Sequence, residues 1–252
     1  MEHNDPYWYL HVGRASDLTG RDRVYYRLFE MLPAILSLST LALFAALSFL
    51  RPVWAAYLTI AFSIYWLFKT IYLSVHLRHN YKRMRHNMGL DWNVRLKDLR
   101  YKDVVHLIIF PLYLEDYEVV AGSVRALLRA AWNPKTIAVV VSVEARAGEG
   151  QRAIAERILK EFGPQFLDFQ VVVHPANRVG EIIGKGSNIS YAAEEARTRI
   201  LDARGIPYER VLVSAFDVDT VVYTQYFACL TWHFLTAENP ARSSFQPVPL
   251  YN

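Results

Sequence analysis

The chain has 252 residues, 53% hydrophobic and 21% charged, with a formal net charge of +4 and one cysteine, Cys229. A lone cysteine excludes an internal disulfide and agrees with a reducing compartment. The basic excess comes from residues flanking two apolar stretches and calls for no nucleic acid; internal repeats and low-complexity segments are absent.

A tail over residues 1–30 carries Arg14, Arg21, Arg23 and Arg27. Met31 to Leu50 contains no charged residue, and as a helix it spans about 30 Å, enough to cross a bilayer. Arg51-Pro52 stops that helix and lets the chain reverse. Val53 to Phe68 is again charge-free, and the apolar character resumes after Lys69 through Val75. Lys69 can snorkel to the headgroups. A secretory signal peptide is excluded, because the stretch starts late, is too long and has no small-residue cleavage site. A buried soluble hairpin is the other reading, but Trp54, Tyr57, Tyr65, Trp66 and Tyr72 near the ends fit a bilayer interface better. Two transmembrane helices are expected over 31–75.

Arg78, Lys82, Arg83 and Arg85 follow the second stretch, while only Arg51 lies between the two. The positive-inside rule therefore predicts a multi-pass plasma-membrane protein, with its N-terminus and everything after residue 75 in the cytoplasm. Residues 76–103 mix basic residues with Tyr81, Met84, Met88 and Trp92, which predicts a helix lying on anionic headgroups. His76, His79 and His86 read as solvated juxtamembrane residues, since no fourth ligand or cysteine accompanies them.

From Val104 short apolar runs alternate with helical periodicity, the pattern of β-α units on a parallel sheet. Strands are expected at Val104–Phe110, Ile137–Val143, Phe169–Val173 and Val211–Phe216. Between the first two, Val119, Val120, Ser123, Val124, Leu127 and Leu128 recur at helical spacing, capped by Asp116 and stopped by Asn133-Pro134. Ile154, Ile158, Leu159 and Phe162 form a second stripe; Ile189, Ala192, Ala193, Ala196, Ile200 and Leu201 form a third. A last helix is expected over Tyr223 to Ala237.

Charged residues stand at three strand exits: Glu115 and Asp116, Glu144 and Arg146, and Asp217 and Asp219. Ligands of open α/β sheets bind at that edge. Alternation along an extended chain turns Asp217 and Asp219 one way and Val218 the other. Two carboxylates so placed can hold Mg²⁺ or Mn²⁺, ions that keep few protein ligands and bind substrate phosphates as well. The plainer alternatives are an acidic strand end that starts a turn, a helix cap at Glu115 and Asp116, and solvated loop charges at Glu144 and Arg146.

Gly180-Glu-Ile-Ile-Gly184-Lys185-Gly186-Ser187-Asn188 is not a P-loop: too few residues separate the glycines, and Gly186 stands where Ser or Thr belongs. It reads as a glycine turn opening a helix at Ser187 or Asn188. Its amides and Lys185 can meet an anion, unless it is an ordinary N-capped helix.

Together these residues resemble the membrane-bound family 2 glycosyltransferases, the GT-A-fold group that includes cellulose, chitin and hyaluronan synthases. The likeness covers roughly residues 104–235. It rests on His106-Leu-Ile-Ile-Phe-Pro111-Leu-Tyr113 with acidic residues following, Glu144, Gly184-Lys185-Gly186-Ser-Asn188 leading a helix, and Phe216-Asp217-Val-Asp219. It implies an α/β fold with a mostly parallel, Rossmann-like GT-A sheet behind a transmembrane helical hairpin, and inverting transfer of a sugar from a nucleotide-diphosphate sugar to a glycan, polysaccharide or lipid acceptor. By that resemblance the loop from Tyr113 to Glu115 and Glu144 line the nucleotide pocket, and Lys185 lies near base or phosphate. Asp217 and Asp219 then hold ribose and metal-bound diphosphate, with Asp219 the ligand to Mg²⁺ or Mn²⁺.

The chain departs from the family in two places. The usual Asn-Glu after the first strand is here Leu114-Glu115. The acceptor-side carboxylate and the Gln-x-x-Arg-Trp segment expected downstream are not found, and no catalytic base is assigned: the only carboxylate after Asp219, Glu238, comes too soon. Phe245 to Asn252 reads as a segment about to enter a further strand, so a partial chain holding the donor-binding half is expected. Two rivals remain. One is a haloacid-dehalogenase-type phosphatase, suggested by Asp217-Val-Asp219-Thr-Val but lacking a later lysine; the other is a membrane-tethered module that binds a nucleotide sugar without turnover.

Overall fold

The computed structural model describes residues 12–178 and 180–247. It divides into two compact units, Met1–His86 with Val179–Glu181, and Asn87–Arg178 with Ile182–Asn252. The first eleven residues of the expected tail, and the last five of the expected further strand, lie outside the described residues.

The first unit is built on two long helices, α1 (Gly20–Leu50) and α2 (Pro52–Met88), separated by Arg51. At 1.5 Å per residue they measure about 46 and 55 Å, and both are long and apolar enough to cross a membrane. Both run beyond the stretches expected from charge alone, because nothing breaks the helical pattern at their charged ends. Residues 20–30 join α1, where Arg27 pairs with Glu30 at 2.6 Å. Residues 76–88 join α2, so one continuous helix replaces a separate surface-lying one.

No residue of α1 and only Ala55 of α2 is buried. The hydroxyls of α2 fold back on the helix. Thr59, Ser63, Thr70 and Ser74 each donate at 2.8 Å to the carbonyl four residues earlier. That arrangement satisfies a hydroxyl where no water is available. Lys69 lies with its ammonium 4.5 Å from the Trp66 ring centroid, a cation–π contact that shelters the one charge within the apolar stretch.

The second unit is an α/β domain. Its strands are β1 (Val105–Leu112), β2 (Ile137–Glu144), β3 (Asp168–His174) and β4 (Val211–Ala215). They form one sheet in the order β3-β2-β1-β4, with every pairing parallel. All four strands fall where the apolar runs predict them, within two residues at each end. The run in β2 is continuous because the strand is covered on both faces and buried throughout.

Alternation divides β1 between two cores. Ile108, Phe110 and Leu112 face a cluster with α4 (Tyr117–Arg129) and α5 (Glu149–Phe162). Leu107 and Ile109 face α6 (Lys185–Ala196), which runs on through a π-helical stretch, Arg197–Asp202, carrying Ile200 and Leu201.

The last helix, α7 (Tyr226–Thr236), starts later than expected, because Tyr223 and Gln225 are held by partners far away in the chain. Gln225 Oε1 accepts from the Trp92 amide at 2.7 Å, and Tyr223 donates to the Met88 carbonyl at 3.1 Å. A short helix, α3 (Trp92–Arg95), docks there. Trp92 and Leu96 are buried against Ala228, so these residues of the expected membrane-surface segment belong to the core of this unit. Apolar burial, not an interface, accounts for Trp92.

Candidate functional site

The chain leaves β1 toward β2 and β3 on one side, then returns through α6 to place β4 on the other. Order reverses between β1 and β4, the position at which parallel sheets open a crevice beyond the strand C-termini. The exits of β2, β1 and β4 are therefore neighbours, and they carry Glu144, Tyr113 with Glu115, and Asp217 with Asp219.

β4 ends at Ala215, and Phe216 still donates its amide to the Ile109 carbonyl at 3.0 Å. The chain then turns: the Thr220 amide donates to the Asp217 carbonyl at 2.9 Å, with Val218 and Asp219 at the centre. This tight turn replaces the extended strand expected for the acidic pair. Val218 is buried and Asp217 and Asp219 are exposed, so the turn directs the apolar side chain inward. Ser123 of α4 fixes it by donating its hydroxyl to the Val218 carbonyl at 2.7 Å within the core. A serine on the apolar face of α4 was the sequence signal for this anchor.

Lys185 reaches this turn. Its ammonium makes an ion pair with Asp217. The helix behind it opens at Lys185 with Gly184 as N-cap, earlier than the expected Ser187 or Asn188. Neither of those side chains caps it. Ser187 donates to the Gly184 carbonyl at 2.8 Å, and Asn188 is buried. The Asn188 side-chain Nδ2 donates to the Ser142 carbonyl at 3.0 Å, and Ser142 Oγ donates to Asn188 Oδ1. This pair fastens the first turn of α6 to β2 and so sets where Lys185 stands. The lone hydroxyl in the apolar run of β2 was its trace in the sequence.

The other strand exits hold contacts of their own. Glu144, last in β2, is buried and ion-paired with Arg146. That hydrogen bond pushes the Arg146 guanidinium further up, so it stays charged. The guanidinium also lies 4.7 Å from the Tyr113 ring centroid, joining the β1 and β2 exits by a cation–π contact. Glu115 turns back on its own loop, accepting from the amides of Tyr113 at 2.8 Å and Leu114 at 3.0 Å. Its carboxylate shapes the loop. Asp116 takes the N-cap position of α4 without a side-chain hydrogen bond to the helix, so the cap is one of backbone geometry. Glu238 lies just past α7, about 17 Å along that helix from its start, and does not join the cluster.

Asp219 makes no hydrogen bond or ion pair among the described residues, and Asp217 shares its carboxylate with Lys185. No three His, Cys, Asp or Glu side chains converge among the described residues. Two exposed carboxylates on a fixed turn suit a hard cation that takes its other ligands from water and phosphate. The donor chemistry of the pair thus fits Mg²⁺ or Mn²⁺, and Asp219 is the carboxylate of the two that no ion pair occupies.

No protein-family model matches the chain, and no curated protein sequence matches it.

Proposed function

We propose that the chain is a membrane-anchored glycosyltransferase of the family 2 type. Its second unit would be the donor-binding part of a GT-A domain that binds a nucleotide-diphosphate sugar and transfers the sugar, with inversion, to a glycan, polysaccharide or lipid acceptor. One observation carries this reading: the ion pair of Lys185 with Asp217, beside a free Asp219, at the exit next to the sheet's switch point.

A diphosphate is anionic and finds at this place an ammonium and the amides of the first turn of α6. Asp219 and Asp217 would hold the Mg²⁺ or Mn²⁺, and the ion when bound neutralises charge on the departing nucleoside diphosphate. Lys185 would exchange Asp217 for phosphate, and Asp217 would become available to metal or ribose. Tyr113 offers a ring face to the nucleobase, and the buried Glu144 keeps Arg146 over it. α1 and α2 would cross the plasma membrane as a hairpin, with the α/β unit in the cytoplasm where sugar nucleotides are made.

The test is titration of the detergent-purified chain with uridine and guanosine diphosphates, beside an assay of phosphate release from a generic phosphomonoester. The reading predicts saturable diphosphate binding and no phosphate release. Release that is lost in Asp217→Asn would contradict it in favour of a haloacid-dehalogenase-type phosphatase. Donor binding without transfer to any acceptor would leave a non-catalytic nucleotide-sugar-binding subunit.

A further inference from the structure

We propose that the basic end of α2, His76 to His86, binds the headgroups of anionic phospholipids; this rests on the reading of α2 as a bilayer-crossing helix and is independent of the nucleotide site. α2 contains no Asp or Glu, yet Arg78, Lys82, Arg83 and Arg85 crowd into little more than two turns. The helix dipole accounts for Arg85 and His86 in the last turn only, since its effect fades within one turn.

The continuous helix sorts these residues by face. Arg78, Lys82 and Arg85 share one face at i, i+4, i+7, and His76, His79, Arg83 and His86 share the next at i, i+3, i+7, i+10. Leu77, Tyr81, Met84 and Met88 line a third, continuing the apolar surface of the span above. Leu77 and Tyr81 are exposed, and none of the four cations forms an ion pair with a protein carboxylate among the described residues. An apolar stripe between cationic faces suits the boundary between acyl chains and phosphates. The apolar length from Val53 to Val75 is about 35 Å, which brings His76 to headgroup level. A cluster of four cations directly beyond a membrane span has the charge to hold anionic lipid.

The experiment titrates the full chain in neutral detergent with short-chain phosphatidylglycerol, phosphatidylcholine and inorganic phosphate, at low and high salt. The wild type is compared with Arg78→Gln/Lys82→Gln/Arg83→Gln/Arg85→Gln and with the charge-keeping Arg78→Lys/Arg83→Lys/Arg85→Lys. Each cation near an anionic surface contributes roughly fivefold, so the glutamine variant should lose at least about tenfold in phosphatidylglycerol affinity. The lysine variant should keep wild-type affinity, salt should weaken binding, and phosphatidylcholine should not bind. Equal phosphatidylglycerol binding by wild type and glutamine variant, equal binding of phosphatidylcholine, or displacement by inorganic phosphate would each overturn the proposal. An alkaline wash of membranes separates the premise from the inference. Release of the wild-type chain overturns the membrane crossing, whereas retention with unchanged phosphatidylglycerol binding overturns the headgroup site alone.

Discussion

Asn188 and Ser142 hold one another inside the α/β unit: the asparagine side-chain Nδ2 donates to the serine carbonyl at 3.0 Å, and the serine hydroxyl returns a bond to Asn188 Oδ1. Both are shut off from solvent, and Lys185 stands one turn of helix away. Asn188→Ala removes both side-chain bonds to the buried Ser142 and leaves its hydroxyl only a 3.5 Å contact with the residue-188 carbonyl, at a cost of about 1–3 kcal/mol. Thermal unfolding of the detergent-purified variant should begin roughly 2–10 °C earlier. A double-mutant cycle with Ser142→Ala should give a coupling above about 0.5 kcal/mol.

Lys185→Met should behave differently. Its pair with Asp217 is more than half exposed on both sides, and such pairs contribute little to stability. The melting temperature should stay within about 2 °C of wild type, while affinity for uridine or guanosine diphosphate falls at least about tenfold. A stability loss as large as that of Asn188→Ala would mean that Lys185 serves the fold.

Ser123→Ala removes the buried donor to the Val218 carbonyl. Its expected cost is about 1–3 kcal/mol, read as an earlier melt. The turn between Asp217 and Thr220 also loses its anchor, so Mn²⁺-dependent nucleotide binding should weaken although neither carboxylate is touched.

His106 is fully buried, shares a 2.9 Å hydrogen bond with Thr231, and is held neutral: burial pushes its pKa down to about 3. The unfolded chain binds a proton near pH 6.5, whereas the folded chain does not until about pH 3. Stability at neutral pH is therefore untouched by this group, and it falls with pH between those values by up to about 1.4 kcal/mol per unit. Urea unfolding followed from pH 7 to 4.5 should lose stability less steeply in His106→Leu/Thr231→Val than in wild type. Parallel slopes would mean that the imidazole is not desolvated as described.

The four strands were legible because each is an uninterrupted apolar run, and the covering helices because their stripes recur at helical spacing. The start of α6 departs from the local pattern for a physical reason. Ser187 and Asn188 are good capping residues, but a tertiary partner, Ser142, took the Asn188 side chain, leaving Gly184 as the N-cap. The acidic pair was visible at the end of β4, but the turn that displays it depends on Ser123, far away in the chain. The charge of Glu115 at a strand exit is plain in the sequence, whereas its bonds to the amides of its own loop follow from backbone geometry that no residue pattern states. The meeting of Lys185 with Asp217 depends on strand order, which no local pattern states.

Nucleoside diphosphate binding to wild type and Asp219→Ala, each with and without Mn²⁺, tests the central claim most directly. The account predicts binding that Mn²⁺ strengthens in the wild type and a loss of that metal dependence in the variant. Binding indifferent to both Mn²⁺ and Asp219 would contradict it and reduce the acidic pair to the turn that ends β4.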